Sequence, residues 1–289
     1  MNAAAELLAR HLADRLELRK RPRSWGGDCP SCSYHAAFSM KVGRGERPLL
    51  YCANGCTREQ LHNEAERVLG AEWTPPPAPD PADVEKARAS KQAAAVRLWN
   101  GAIPCADTPA AAYLIGRGLS ALTGCRELRY RADTWHAERG RHPALIARVR
   151  NVNGNQVAVH RTYLTSDGRK AALDPPKASL GPVWGSAIHL GEPDLNLVVA
   201  EGIETAASAG LLLNLPAWAA ISAGNMAAGL ILPNDVYRVT IAADADGPGR
   251  KAAQDAAARW RGEGRHVSIA TPNRSGADFN DVLQEANHA

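Results

Sequence analysis

The sequence predicts an α/β chain. An open parallel sheet flanked by helices is expected over residues 193–289, preceded by a mixed α+β basic subdomain and a small N-terminal cysteine-bearing module. Three observations lead there. Two apolar runs, Leu195-Asn196-Leu197-Val198-Val199-Ala200 and Val239-Thr240-Ile241-Ala242-Ala243, are rich in β-branched residues and lack alternation, which suits strands buried on both faces. Helical stretches separate them from each other and from two further short strands, and strand–helix alternation builds an open sheet. Each run also ends in acid, Glu201-Gly202 after the first and Asp244-Ala245-Asp246-Gly247 after the second. In a parallel sheet the carboxyl ends of neighbouring strands share one edge, and ligands bind there.

Within residues 1–70, positions 3–19 read as a helix with Leu7, Leu8, Leu12 and Leu16 at helical spacing. Next come Cys29-Pro30-Ser31-Cys32 and, after 19 residues, Cys52-Ala53-Asn54-Gly55-Cys56. Paired cysteines around a hairpin-length insert match a zinc ribbon. The insert supplies two strands, Ala37-Phe38-Ser39-Met40-Lys41-Val42 and Pro48-Leu49-Leu50-Tyr51, flanking a Gly43-Arg44-Gly45 turn. Thiolates of Cys29, Cys32, Cys52 and Cys56 would close a tetrahedron and leave no open position, so the zinc is expected to be structural; His35 is an alternative ligand to Cys32. Thr57 and Gln60 form a capping-box pattern for a helix running to Leu69 and stopping at Gly70. Residues 71–82 hold five prolines in seven positions and read as a semi-extended linker.

Residues 83–192 form the basic subdomain. Residues 83–100 read as a helix, and Thr108-Pro109 is a cap and first turn for another reaching Arg117. From 126 to 190 the texture is strands and turns. Leu145 to Arg150 and Gln156 to Leu164 are strands, joined by Asn151-Val152-Asn153-Gly154. Net charge is +4 overall, but residues 86–180 hold 16 basic and 6 acidic side chains, whereas 181–289 hold 7 and 12. A basic segment of this strength calls for an anionic partner, nucleic-acid or nucleotide phosphate. No apolar run is long enough for a membrane span, and no apolar signal core is evident near the N-terminus. Six cysteines, four of them clustered, point to a metal site in a reducing, cytoplasmic compartment rather than a disulfide framework.

In the C-terminal segment the expected order continues with a helix over 203–213 and a strand from Pro216 to Ile221. A short helix near 225–231, a helix over 249–262, a strand from Arg265 to Ala270 and a helix from Asp278 to Ala286 follow. A third acidic group, Asp278-Phe279-Asn280-Asp281, opens the last helix. Clustered carboxylates repel unless a cation sits among them, and oxygen-only donors suit Mg²⁺ or Mn²⁺.

Glu201-Gly202, Asp244-x-Asp246-x-x-Gly249 and Asp278-x-Asn280-Asp281, in that order and spacing, resemble the Toprim domain of bacterial-type primases, topoisomerases and some nucleases. Pro143-Ala144-Leu145, Gly154, His160-Arg161-Thr162-Tyr163-Leu164, Asp167-Gly168, Pro176-Lys177 and Gly181 resemble the region preceding Toprim in phage- and plasmid-type primases. The cysteine module looks like the zinc domain of such primases. The resemblance implies a DNA primase, a nucleotidyltransferase that makes short RNA primers from NTPs on single-stranded DNA with Mg²⁺ or Mn²⁺. It gives Glu201, Asp244 and Asp246 the catalytic role, and those three with Asp278 and Asp281 the metal; Asn280 would complete the acidic site. Arg161, Lys170 and Lys177, then Arg148 and His160, would hold nucleotide or template phosphates. Trp25, Tyr34, Phe38 and Tyr51, with Lys41, Arg44 and Arg47, would be either a base-stacking face or the ribbon's small core and rim. Many Toprim primases carry Asp where this chain has Thr205, with Glu204 beside it as a substitute, so a second metal site is in question. No GxxxxGK[ST] occurs, so a separate helicase partner is expected. The alternatives are a non-catalytic single-stranded-DNA-binding accessory protein of a mobile element, and a Toprim-type nuclease.

Overall fold

The computed structural model describes residues 3–21, 24–42, 47–74, 77–137, 139–245 and 247–288. The chain divides into two units, Met1–Val84 and Glu85–Ala289. In the first, α1 (Ala3–Arg15) precedes the antiparallel strands β1 (Arg19–Arg21), β2 (Ser24–Gly27), β3 (Phe38–Val42) and β4 (Pro48–Cys52), and α2 (Arg58–Leu69) follows. The α1 helix stops short of the predicted residue 19. Glu17 adopts φ 52, in the left-handed region, and the chain turns into β1. At α2 the capping box is complete: Gln60 N–H donates to Thr57 Oγ1 (3.2 Å) and Thr57 N–H to Gln60 Oε1 (2.8 Å). Gly70, at φ 58, ends the helix.

The core of this unit holds Leu12, Trp25, Phe38, Met40, Leu61 and Trp73. Trp25 and Phe38 are 5% and 1% exposed, so they belong to the small core, with Tyr34 packed partly buried against it. Only Tyr51 of the four aromatics is open to solvent, at 61%. Trp73, at the start of the proline-rich stretch, is buried and stacks on His62 with ring centroids 5.4 Å apart. The Gly43-Arg44-Gly45 turn lies outside the described residues.

The second unit opens with the greater part of α3 (Pro81–Asn100), then β5 (Ile103–Pro104), α4 (Pro109–Gly116), β6 (Leu128–His136), β7 (Gly140–Arg150), β8 (Gln156–Tyr163) and β9 (Lys177–Leu180). These strands form an antiparallel sheet in the order β5-β6-β7-β8-β9. The β7–β8 turn is the predicted one. Asn151 Oδ1 accepts the N–H groups of Asn153 and Asn155, and Gly154 takes φ 81.

The strand β7 is buried on both faces. Leu145, Ala147 and Val149 join one core with Leu114, Leu128, Ile188, Val198, Ala200 and Ile203, while Ala144 and Ile146 join another with Trp99, Val159 and Tyr163. The first of these cores runs into the second sheet, so the two sheets share it. That sheet contains β10 (Ile188–His189), β11 (Asn196–Ala200), β12 (Ala217–Ala219), β13 (Arg238–Ala242) and β14 (His266–Ala270), in the order β10-β12-β11-β13-β14. All its neighbours are parallel except β10 and β12. The helices α5 (Ile203–Leu213), α6 (Gly247–Gly262) and α7 (Phe279–His288) complete it.

One predicted element differs in kind. The short helix near 225–231 is a π-helical turn, Asn225–Gly229. Its carbonyls are drawn to other partners: the Arg259 guanidinium donates to Met226 O (3.2 Å), Ala227 O (3.1 Å) and Leu230 O (2.9 Å). The Asn225 amide donates to Ser186 O and Ala220 O.

Leu145 is fully buried at the shared core and Ile103 is 56% exposed. Leu145→Ala is expected to cost about 2–5 kcal/mol, read from the urea midpoint, against less than about 0.5 kcal/mol for Ile103→Ala.

Candidate active site

The strand order places a topological switch point between β11 and β13. The chain leaves β11 through α5 to β12 on one side, then returns to β13 on the other, opening a crevice at the carboxyl ends of the two central strands. Ala200 pairs with Ala242, so Glu201 and Asp244 emerge side by side. A cleft of about 210 Å³ lies there, lined by Glu201, Gly202, Glu204, Thr205, Asp244 and Asp278 from the acidic half and by Arg117, Lys170 and Lys177 from the basic half. The Thr205 hydroxyl donates to Asp244 Oδ1 (3.2 Å), giving that carboxylate a fixed partner.

The third acidic group divides its labour. Asp278 lines the cleft and caps α7, its Oδ1 accepting the Asp281 N–H at 2.9 Å. Asp281 faces the other way in the same box, accepting the Asp278 N–H (3.3 Å) and lying 3.6 Å from Arg274 Nη2. It is absent from the cleft lining. Asn280 is fully buried and ties three helices together. Its amide donates to the Arg117 carbonyl (2.6 Å) and Ser208 Oγ (3.1 Å), and its oxygen accepts from Arg117 Nη1 (3.3 Å) and Gln284 (2.8 Å). Its amide is thus spent on helix contacts instead of completing the acidic site. Asp246 lies outside the described residues.

The basic residues divide too. Lys170 and Lys177 line the cleft; burial, and then the charge of Lys177, lower the pKa of Lys170. Arg148 and Arg161 do not. The Arg148 guanidinium forms a two-pronged ion pair with Glu127 (2.7 and 2.5 Å) over the Trp99 ring. Arg161 donates to the carbonyls of Ala178 (3.2 Å), Trp135 (3.1 Å) and Ser179 (3.1 Å). His160 hydrogen-bonds Ser179 Oγ (2.9 Å), and burial followed by the Lys177 charge pushes its pKa down to about 3, so the ring is neutral.

Three cleft features were not legible as such: Arg117, Tyr113 and the commitment of Glu204. Tyr113 O–H donates to Glu204 Oε1 (2.6 Å), and Lys177 Nζ donates to Oε2 (2.8 Å). Burial drives Glu204 towards its neutral form, but the Lys177 charge and the hydrogen bonds from Lys177 and Tyr113 outweigh it and hold the carboxyl down at about 2. Both Glu204 oxygens are thus engaged by Tyr113 and Lys177, while at position 205 itself the Thr205 hydroxyl is given to Asp244. Arg117 follows the last turn of α4, and no spacing in the sequence marks its place in the cleft lining.

The donor sets fit two kinds of cation. Glu201, Asp244 and Asp278 offer hard carboxylate oxygens in a cleft that cationic side chains also line, the chemistry that Mg²⁺ or Mn²⁺ shares with phosphate. In the first unit the sulfurs of Cys29, Cys32, Cys52 and Cys56 all lie within 4.8 Å of one another, with Cys29–Cys56 at 3.7 Å and Cys32–Cys52 at 3.8 Å. Tetrahedral zinc with bonds of about 2.3 Å needs sulfurs about 3.8 Å apart. His35 instead pairs with Asp28 at 2.8 Å.

Cys52→Ser is expected to abolish stoichiometric zinc retention, measured by atomic absorption on the purified chain, and to lower the melting temperature of the first unit. Because Glu204 is held near 2 against about 4.3 in an unfolded chain, its ionised form stabilises the fold fully above about pH 5, and that stability is lost as pH falls towards 2. The urea midpoint of the unaltered chain should therefore fall over that range more steeply than that of Glu204→Gln.

Residues 196–289 match the family model of the Toprim domain, and residues 89–190 match a domain of unknown function (DUF7146). None of the curated proteins matches the sequence. Among solved structures, a DNA primase domain from Pseudomonas aeruginosa is 15% identical, aligning 68% of this chain with 74% of its own at a TM-score of 0.50. The DnaG catalytic core is 16% identical, aligning 68% with 75% at the same TM-score. The chain carries a Toprim domain over residues 196–289, set in the fold shared by these primase cores.

Proposed function

We propose that the chain is a DNA primase that joins NTPs into short RNA primers on a single-stranded DNA template. The observation that carries this reading is the cleft at the β11–β13 switch point, whose lining brings Glu201, Asp244 and Asp278 together with Arg117, Lys170 and Lys177. The fold shared with primase cores supports it. In this reading residues 1–70 are the zinc-binding domain, 71–82 a linker, 83–192 the basic subdomain and 193–289 the Toprim domain. The four cysteines hold a structural zinc. The helicase is a separate chain. No helix among the described residues is long and apolar enough to cross a membrane.

The reaction joins the primer 3′-oxygen to the α-phosphorus of the incoming nucleotide and expels pyrophosphate. Mg²⁺ or Mn²⁺, when bound, supplies charge neutralisation at the phosphate oxygens. Glu201, Asp244 and Asp278 are the residues that would hold it, with Asp246 as the further acid of the motif. Glu201 would also act as the base that takes the proton of the attacking hydroxyl. Thr205 orients Asp244 through its hydroxyl. Lys170, Lys177 and Arg117 bind the triphosphate oxygens, and the side chain of Arg117 is steadied by Asn280.

Labelled NTPs, single-stranded DNA and Mg²⁺ or Mn²⁺ are expected to yield short RNA products on a denaturing gel. Glu201→Gln should reduce them by about a hundredfold or more. Wild-type synthesis by Glu201→Gln would sink the mechanism. Template binding without incorporation would make the chain an accessory binder, and template cleavage without NTPs would make it a nuclease.

A further inference from the structure

Glu204 is a charged residue in a position where charge is costly. It lies in the first turn of α5, is 7% exposed, and lines a cleft that already holds Glu201, Asp244 and Asp278. A fourth carboxylate there adds repulsion unless it has a task of its own. Its two oxygens define that task. Both point to the basic half, one to Tyr113 at the start of α4's second turn and one to Lys177 at the start of β9.

Lys177 is the other half of the pair. Its side chain is 29% exposed and lines the cleft. An ammonium carries three N–H donors, and one of them is given to Glu204. A lysine stem has four rotatable bonds, so an ammonium without an anchor samples many positions. The Glu204 carboxylate, itself fixed by the Tyr113 hydroxyl, removes that freedom before any ligand arrives.

We infer that Glu204 is a positioning residue, which holds the Lys177 ammonium in the cleft so that its other donors meet an anionic oxygen of the nucleotide. The inference rests on the nucleotidyl-transfer reading of the cleft. It separates two effects of the same carboxylate. Its charge offsets one of the three cations, Arg117, Lys170 and Lys177, so it weakens the general attraction for polyphosphate. Its geometry places Lys177 for reaction. Removing the charge while keeping the shape should therefore leave binding intact or tighter and slow turnover.

The test is steady-state primer synthesis by the full chain with wild type, Glu204→Gln, Lys177→Gln, the double variant and Tyr113→Phe, alongside melting temperatures. Glu204→Gln is expected to lose about tenfold to a hundredfold in kcat with KM for NTP unchanged or lower. The double variant should be no slower than Lys177→Gln alone, because both changes remove one contact. Tyr113→Phe, which keeps the Lys177–Glu204 pair but removes the hydroxyl that fixes it, should lose less kcat than Glu204→Gln, and its melting temperature reads the folding cost of the lost buried hydrogen bond. Wild-type kcat in Glu204→Gln would overturn the inference while leaving the primase reading standing. So would losses that add in the double variant and follow melting temperature with KM rising. If the unaltered chain incorporates no nucleotide, the primase reading fails and this inference fails with it.

Discussion

The cleft depends on a packing constraint: β7 and β11 are each enclosed on both faces, and the core between them belongs to both sheets. Leu145, Ala147 and Val149 of β7 meet Val198 and Ala200 of β11 in that core, with Ile203 of α5 sealing it. Burial of this kind supplies the favourable free energy of folding, roughly in proportion to the apolar area removed from water. It also fixes where the polar ends of the elements emerge. Neither sheet can slide without exposing apolar surface on two sides, so Glu201 and Asp244 on one half and Lys177 on the other hold their separation without a ligand.

On this base, hydrogen bonds between side chains and main chain set the finer geometry. Two latches join the halves. One is Glu204 with Tyr113 and Lys177; the other is Asn280 with Arg117 and Ser208. Glu204 and Asn280, at the centre of each, are buried, where a polar group without a partner would be costly and a paired one specifies a single arrangement. The division between charge chemistry and apolar packing is therefore spatial. Packing determines the distance between the sheets, and the latches determine which atoms face across it.

Much of this was readable along the chain because the signals are local. Thr57 and Gln60 announce a helix start, Asn151 and Gly154 a hairpin turn, and the unbroken apolar runs a doubly buried strand, and each appears where those residues stand. The cysteine spacing likewise brings four sulfurs together. What the sequence could not reveal is which charged groups find partners far away in the chain. Arg148 reads as a phosphate ligand until Glu127, 21 residues earlier, is seen to hold it. Arg161 reads the same way until three carbonyls are seen around its guanidinium. The DxND motif looks like one acidic group, yet folding assigns Asp278 to the cleft, Asn280 to the interior and Asp281 to a helix cap. These outcomes follow from contacts between elements, and nothing in spacing or composition encodes them.

The pairing of arginines has a consequence for how the protein would sense ionic strength. The excess of basic over acidic side chains in residues 86–180 describes a chain, not a surface. Arg148 and Arg150 share Glu127, and Arg161 is wrapped in carbonyls, so these cations already have their partners before any polyanion approaches. Only cations free to meet phosphates displace counterions from a nucleic acid. The number of counterions released on binding would then leave out these three arginines and be set by cations that stand exposed, such as Lys86, Arg88, Arg126 and Arg139, together with Lys170 and Lys177 of the cleft, below what the formal charge of the segment implies.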